Sequence, residues 1–199
     1  MLQYDQMKRS HRGLWPQRWR RERMILMSVM EAILQRKSIR AYQDKPIEQE
    51  KLEKILEAGR LAPSATNQQA WKFVVVTDPA LRHELVAACR NQAFVEQAPV
   101  VMVLCADEVR DMACGQPART IDCSIALSYM QLQAAELGIG SCWLGAFSAP
   151  DVAKLLKIPA GFQVVAVSPF GYPAEEGRVR SRKPMEDIVR YDAWETKKN

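Results

Sequence analysis

The chain has 199 residues, the length of one ordinary domain, and its 48% hydrophobic and 26% charged residues are typical of a globular protein. No stretch approaches the roughly 20 apolar residues of a membrane-spanning helix, which argues against a membrane protein. Five cysteines without a C-x-x-C pair, and no secretory signal pattern, predict free thiols and a cytoplasmic location.

The net charge of +5 comes entirely from residues 1–24, which contain seven basic and two acidic residues. The rest of the chain is neutral, so it predicts no general basic surface for nucleic acid. We interpret residues 1–26 as a disordered basic extension and residues 27–199 as a single domain. Two other interpretations of the extension stay open: a patch for nucleic acid or a membrane surface, or sequence ahead of a start at Met24, Met27 or Met30.

Apolar periodicity and turn residues predict helices that alternate with strands. A helix that runs over 119–137 is apolar on most faces, which predicts burial against both its own sheet and a partner subunit. We therefore expect an α+β fold, with a mixed sheet flanked by helices. The other predicted helices, in chain order, cover 27–37, run from Lys45-Pro46 to Pro63, follow the capping residue Asp78, and cover 148–157. The predicted strands cover 71–77 and 100–105, begin at Ser141, and cover 162–168.

Three polar clusters are candidates for chemistry. Arg36-Lys37-Ser38-Ile39-Arg40 suits a phosphate or a polar ring edge, although it could equally be a solvated helix end. The loop from Ala62 to Trp71 is rich in amides and hydroxyls that both donate and accept hydrogen bonds, although such a loop could simply cap and turn the chain. Arg180-Ser181-Arg182-Lys183 is a second basic cluster, or a solvated charge run.

Other kinds of site have little support in the sequence. The chain has two histidines, His11 and His83, which argues against a histidine-based metal site or a catalytic triad. No glycine-rich G-x-G-x-x-G or G-x-x-x-x-G-K-[ST] motif follows a strand. We therefore expect no side-chain acid or base and no metal.

The order and spacing of these motifs resemble the nitroreductase family over about residues 28–192. Its R-x-S-x-R/K element is matched by Arg36 to Arg40, and its A-P-S-x-x-N-x-Q-P-W loop by Ala62 to Trp71, with Ala70 where the family has proline. Further matches are Tyr42 to Pro46, Asn91-Gln92, Ala98-Pro99, Leu137 to Phe147, Gly171-Tyr172-Pro173 and Arg182-Lys183-Pro184.

The resemblance implies FMN as the cofactor, bound at the interface of a homodimer, with a C-terminal arm that reaches the partner subunit. Arg40 would be the cation near the flavin N1–C2 edge, where it stabilises negative charge on the reduced ring. Gly145 stands where some relatives carry glutamate, so only its backbone can be compared. The implied cofactor-binding residues are Arg36, Lys37, Ser38, Arg40, Pro63, Ser64, Ala65, Asn67, Asn91, Gly145, Ala146, Arg180, Arg182 and Lys183.

The function that the resemblance implies is electron transfer from NADH or NADPH, by ping-pong exchange, to a small-molecule acceptor such as a nitroaromatic, a quinone or another conjugated electrophile. Three alternatives stay open: a member specialised for reductive dehalogenation or flavin fragmentation, a non-catalytic FMN-binding protein, and a nucleic-acid binder that acts through residues 1–24. The sequence does not identify the physiological acceptor, the preferred nicotinamide or the role of residues 106–119.

Overall fold

The computed structural model describes residues 27–107 and 109–194. The predicted N-terminal extension, residues 1–26, lies outside these ranges. The helices are α1 (Val29–Gln35), α2 (Gln49–Arg60), α3 (Pro79–Ala88), α4 (Phe94–Gln97), α5 (Ala118–Glu136), α6 (Ala149–Leu155) and α7 (Met185–Ile188). The strands are β1 (Trp71–Val76), β2 (Val100–Ala106), β3 (Gly140–Ser141) and β4 (Gln163–Gly171).

The strands form one sheet in the order β1-β2-β4-β3, with antiparallel pairing throughout. A single parallel bridge joins Ser38 to Ser141 at the β3 edge, so the mixed character of the sheet rests on that bridge alone within the described residues. The register of β2 and β4 shifts between Leu104 and Cys105. The extra residue of this bulge is Val165 of β4, opposite the end of β2 that leads into the segment before α5.

Alternating side chains of β2 build a core on each face of the sheet. Met102 and Leu104 pack with Ile55 of α2 and Met130 of α5. Val101 and Val103 pack instead with residues of α3 and α6, among them Leu85 and Val152. The sheet therefore has helices on both faces, and the expected α+β architecture is confirmed.

Most element boundaries follow the local signals in the sequence. Ser28 forms a capping box with Glu31, and Asp78 accepts the Leu81 N–H at 3.0 Å, as expected for N-caps. The predicted strand over 162–168 is longer, because it continues to Gly171. The four-residue helices α4 and α7 were not predicted, since a single turn shows no periodicity.

One side of α5 remains open in the described chain. Tyr129 is 43% exposed, although the helix buries Cys123, Ala126, Leu127 and Met130 completely. Among the described helices, none has the length and apolar character to cross a membrane.

Gly171 ends β4 where three segments meet closely. A Cβ added there would lie 2.6 Å from Pro99 Cδ and 2.9 Å from Tyr42 Cδ1. We predict that Gly171→Ala lowers the free energy of unfolding by about 1–3 kcal/mol, because overpacking strains a close-packed core. Urea unfolding measures this. Gly145→Ala is the control, since its Cβ would meet no atom within 4 Å; equal losses in both variants would contradict the packing argument.

Candidate functional site

The basic segment 36–40 leaves α1 as extended chain and runs along the β3 edge. The Ile39 N–H donates to Ser141 O at 3.0 Å. Alternation turns the buried Ile39 away from its neighbours Ser38 and Arg40. The Lys37 side chain lies on the same side as Ile39, and its Nζ donates to Glu176 O at 3.0 Å.

Arg36, Ser38 and Arg40 gather around the buried Cys142 thiol. Burial raises the pKa of this thiol, whereas Arg40, a hydrogen bond with Ser38, and Arg36 act to lower it. Three of the predicted phosphate and ring contacts therefore share one face of the segment. Within the described residues, neither arginine forms an ion pair with a carboxylate.

The turn 143–146 is fixed by hydrogen bonds to its backbone. Ser168 Oγ donates to Cys142 O at 2.9 Å, and the Leu144 N–H donates to Val167 O at 3.0 Å. Gln92 Nε2 donates to Ala146 O at 3.0 Å and to Cys89 O at 2.8 Å. The structure thus holds Ala146, four residues beyond the Cys142 thiol, against Gln92, the sequence neighbour of Asn91.

The loop 63–69 adopts an unusual backbone conformation around a 3-10 turn, Ala65–Asn67. Thr66, Asn67 and Gln69 have φ of 51°, 57° and 51°, in the left-handed region that costs a non-glycine residue about 1–2 kcal/mol. Ser64 Oγ accepts the Gln69 N–H at 3.0 Å, and the Asn67 side chain is exposed. Such strain persists where the surroundings hold it, which is common at ligand sites.

The two sets of predicted flavin contacts lie at opposite ends of α5. Ala65 hydrogen-bonds to Asp122 near the start of α5, whereas the basic segment bonds to Ser141, just after its end. At a rise of about 1.5 Å per residue, the 14 residues from Asp122 to Glu136 separate them by roughly 20 Å. The loop 63–69 and the basic segment are therefore anchored to the two ends of the same long helix.

The C-terminal cluster of Arg180, Arg182 and Lys183 is exposed. Arg182 Nη1 donates only to nearby backbone carbonyls, those of Arg180 and Ser181. The chain that leads to this cluster passes the basic segment, where Glu175 Oε1 accepts the Arg40 N–H at 2.8 Å. The cluster therefore begins five residues along the chain from Glu175, which contacts Arg40.

Four residues that hydrogen-bond to segments of the candidate site were not predicted from the sequence: Gln92, Asp122, Glu175 and Ser168. Asp122 carried a usable signal, because a carboxylate in a largely apolar helix needs a buried partner. The described residues contain no cluster of His, Cys, Asp or Glu suited to a metal ion.

The sequence profile of the nitroreductase family matches residues 33–99 and 86–172. The chain belongs to the nitroreductase family.

Relatives of this nitroreductase-family chain agree with that assignment. It is 36% identical over 196 residues to the NADH dehydrogenase of Thermus thermophilus, which covers 82% of this chain and 96% of the relative. It is 27% identical over 184 residues to the FMN reductase (NAD(P)H) of Bacillus subtilis, which covers 83% of this chain and 74% of the relative.

The fold of this nitroreductase-family chain is similar to that of the NADPH:FMN oxidoreductase from Vibrio harveyi, solved in complex with NAD+. The TM-score is 0.78 at 29% identity, and the match covers 84% of this chain and 78% of that chain.

The thiols of this nitroreductase-family chain differ sharply in their surroundings. Burial raises the pKa of Cys89 to about 11 and that of Cys123 to about 12, and it also raises the pKa of Cys105 and Cys142. Cys114 is exposed in the segment before α5. Four of the five thiols are thus protonated at neutral pH and unsuited to attack as nucleophiles.

We predict that one thiol per native chain, Cys114, reacts rapidly with a chromogenic disulfide at pH 8, and that the others react only after unfolding. The four buried thiols should react slowly because their pKa values are raised, and a thiol forms little of the reactive thiolate at a pH below its pKa. Cys114→Ser should abolish the fast phase. A fast phase that survives in this variant would contradict the assignment.

Proposed function

We propose that this protein is an FMN-dependent oxidoreductase that takes electrons from NADH or NADPH and passes them to a small conjugated acceptor. The observation that carries the proposal is the face formed by Arg36, Ser38 and Arg40 beside the fixed turn that ends at Ala146. Family membership supports it, together with the names of the Bacillus subtilis and Vibrio harveyi relatives.

The donors on this face fit FMN. Two arginines and a hydroxyl suit one phosphate and a polar ring edge, since charge-assisted hydrogen bonds favour anionic oxygens. We assign Arg36 and Ser38 to the phosphate and ribityl chain, with Arg180, Arg182 and Lys183 from the C-terminal arm. Lys37, whose ammonium already binds Glu176 O, is assigned a contact only through its backbone.

Bound FMN supplies the hydride chemistry, and the protein supplies position and charge. Arg40 places a cation near the N1–C2 edge, where it favours negative charge on the ring. The Gly145 and Ala146 backbone would contact another part of the ring, and Asn91 would supply an amide. Gln92 holds Ala146 in place.

No protein acid or base is required, because hydride transfer between stacked rings needs geometry and charge alone. His83 is 76% exposed and pairs with Glu96 on the surface of α3, outside the site. The Cys142 thiol is buried behind the basic segment. Neither side chain is therefore assigned a part in the electron transfer that bound FMN would supply.

We infer that two copies of the chain complete each FMN site. The roughly 20 Å between the two ends of α5, to which the loop 63–69 and the basic segment are anchored, supports this inference. We assign Pro63, Ser64, Ala65 and Asn67 to the pyrimidine edge of the flavin held by the partner's basic segment. This arrangement gives each dimer two equal sites.

Exposed apolar side chains support the dimer. On α1, which packs against α5, Val29 is 73% and Leu34 is 71% exposed. In the C-terminal arm, Tyr191 is 84% and Trp194 is 78% exposed. Large exposed apolar side chains are typical of interfaces, and we propose that the arm reaches across the partner. Five free cysteines support a cytoplasmic location.

The test of the function is an anaerobic titration of the purified, flavin-loaded protein with NADH and with NADPH. We predict that the released flavin is FMN and that at least one nicotinamide bleaches the flavin absorbance stoichiometrically. Bound FMN that neither nicotinamide reduces would indicate a non-catalytic binding protein. FAD, or no flavin after incubation with FMN, would sink the proposal. Product analysis of the reoxidised protein distinguishes simple electron transfer from dehalogenation or flavin fragmentation.

We predict that Arg36→Ala and Arg182→Ala each weaken FMN binding about 10- to 100-fold, because a lost charged hydrogen bond costs about 1.5–3 kcal/mol. Titration of the flavin-free variants with FMN measures this. Lys54→Ala is the control, since Lys54 pairs with Glu50 on α2 and belongs to neither basic cluster. Parent-like affinity in both site variants would show that these arginines are only solvated.

The composite site is tested by complementation. We predict that Arg40→Ala and Asn67→Ala, each with low activity alone, recover about a quarter of parent activity when equal amounts are refolded together, because half of the dimers are mixed and each mixed dimer contains one intact site. Refolding each variant alone is the control. No recovery, with mixed dimers demonstrated by differently tagged chains, would mean that both residues serve one site from the same chain.

A further inference from the structure

A buried carboxylate lies directly beneath the loop 63–69. Asp122 of α5 is only 3% exposed. Its Oδ1 and Oδ2 atoms lie 3.1 and 3.2 Å from the Ala65 N, so both oxygens share the Ala65 N–H as acceptors. The contact joins two parts of the chain that are 57 residues apart in sequence.

The carboxylate does not serve its own helix. The N–H groups in the first turn of a helix lack helical partners, and a carboxylate there can cap them. α5 begins at Ala118 after the N-cap Pro117, so Asp122 lies beyond that first turn. Among the described residues no cation forms an ion pair with it. Burial of an ionised carboxylate is unfavourable unless hydrogen bonds compensate it. The Ala65 N–H therefore stabilises the buried Asp122 carboxylate, and Asp122 in turn holds the loop.

The loop needs an external anchor because its own backbone is strained. Of the four residues that follow Ala65, three adopt the left-handed region: Thr66, Asn67 and Gln69. The turn is closed from within by Ser64 and touched from outside by Arg110, whose Nη2 donates to Thr66 Oγ1 at 3.1 Å. Asp122 is the contact that ties this strained turn to the rigid core helix.

We propose that Asp122 is a positioning residue for flavin binding: it fixes the Ala65 N–H, and thereby holds Ser64, Ala65 and Asn67 in the conformation that meets the pyrimidine edge. This inference rests on the proposed function for its ligand. Its structural half, the control of the loop by Asp122, does not depend on any flavin.

Two measurements test the two halves separately. In the flavin-free, full-length protein, Asp122→Ala should accelerate hydrogen exchange of the Ala65 amide at least about tenfold, since a protecting acceptor is removed. In the flavin-loaded protein, Asp122→Ala should raise the Kd for FMN about tenfold, in line with one lost charged hydrogen bond. At full flavin occupancy it should also shift the flavin midpoint potential.

The variants are chosen to separate positioning from simple destabilisation. Asp122→Asn has the same size and retains one oxygen acceptor, so it should restore most of the Ala65 protection and FMN affinity. Asp122→Val fills the volume without an acceptor and should behave like Asp122→Ala, including where the alanine variant fails to fold. Asp78→Ala is the matched control, because it removes another carboxylate-to-amide hydrogen bond, at the α3 N-cap far from the loop.

Folded Asp122→Ala or Asp122→Val protein with Ala65 exchange, FMN affinity and midpoint potential equal to those of Asp78→Ala would overturn the inference. If the parent itself binds no FMN, the proposed function fails, and the exchange experiment still decides whether Asp122 controls the loop.

Discussion

Helix α5 is a rigid rod whose two ends carry the two halves of the candidate site. Its 19 residues fix the separation between the strained loop 63–69 and the basic segment 36–40, because an α-helix does not shorten. Each half is well held on its own, one by Asp122 and the other by the β3 edge. Under the proposed function, the length of this helix favours a flavin that lies between two chains and takes one half of its site from each.

The buried face of α5 has two polar side chains, and both support the site. Asp122 and Gln131 are nine residues apart, which places them on opposite sides of the helix at about 100° per residue. Asp122 reaches the loop after α2, whereas Gln131 Nε2 donates to Ser168 Oγ, which in turn donates to Cys142 O. These two buried polar side chains are therefore the points where the helix hydrogen-bonds to segments of the candidate site.

The sequence predicted what local chemistry determines. The Asp78 cap, the β-branched strands and the long helix are signals within a few residues, and the structure bears them out. The turn beside Ala146 could not be predicted in the same way, because Gln92 reaches it across 54 residues. The assignment of Lys37 to the flavin face followed from its neighbours, but strand alternation turns its ammonium toward Glu176. The family motif suggests which residues bind the cofactor, whereas the direction of each side chain depends on the fold.

The segment before α5 is joined to the strained loop 63–69. It closes on itself through the Met112 N–H, which donates to Gln116 O, and through the Asp111–Pro117 bridge. Arg110 at its start donates a hydrogen bond to Thr66 in the strained loop. Under the proposed function, a change in this segment would therefore also act on the loop assigned to the pyrimidine edge, so that acceptor access and flavin binding would be coupled through one hydrogen bond.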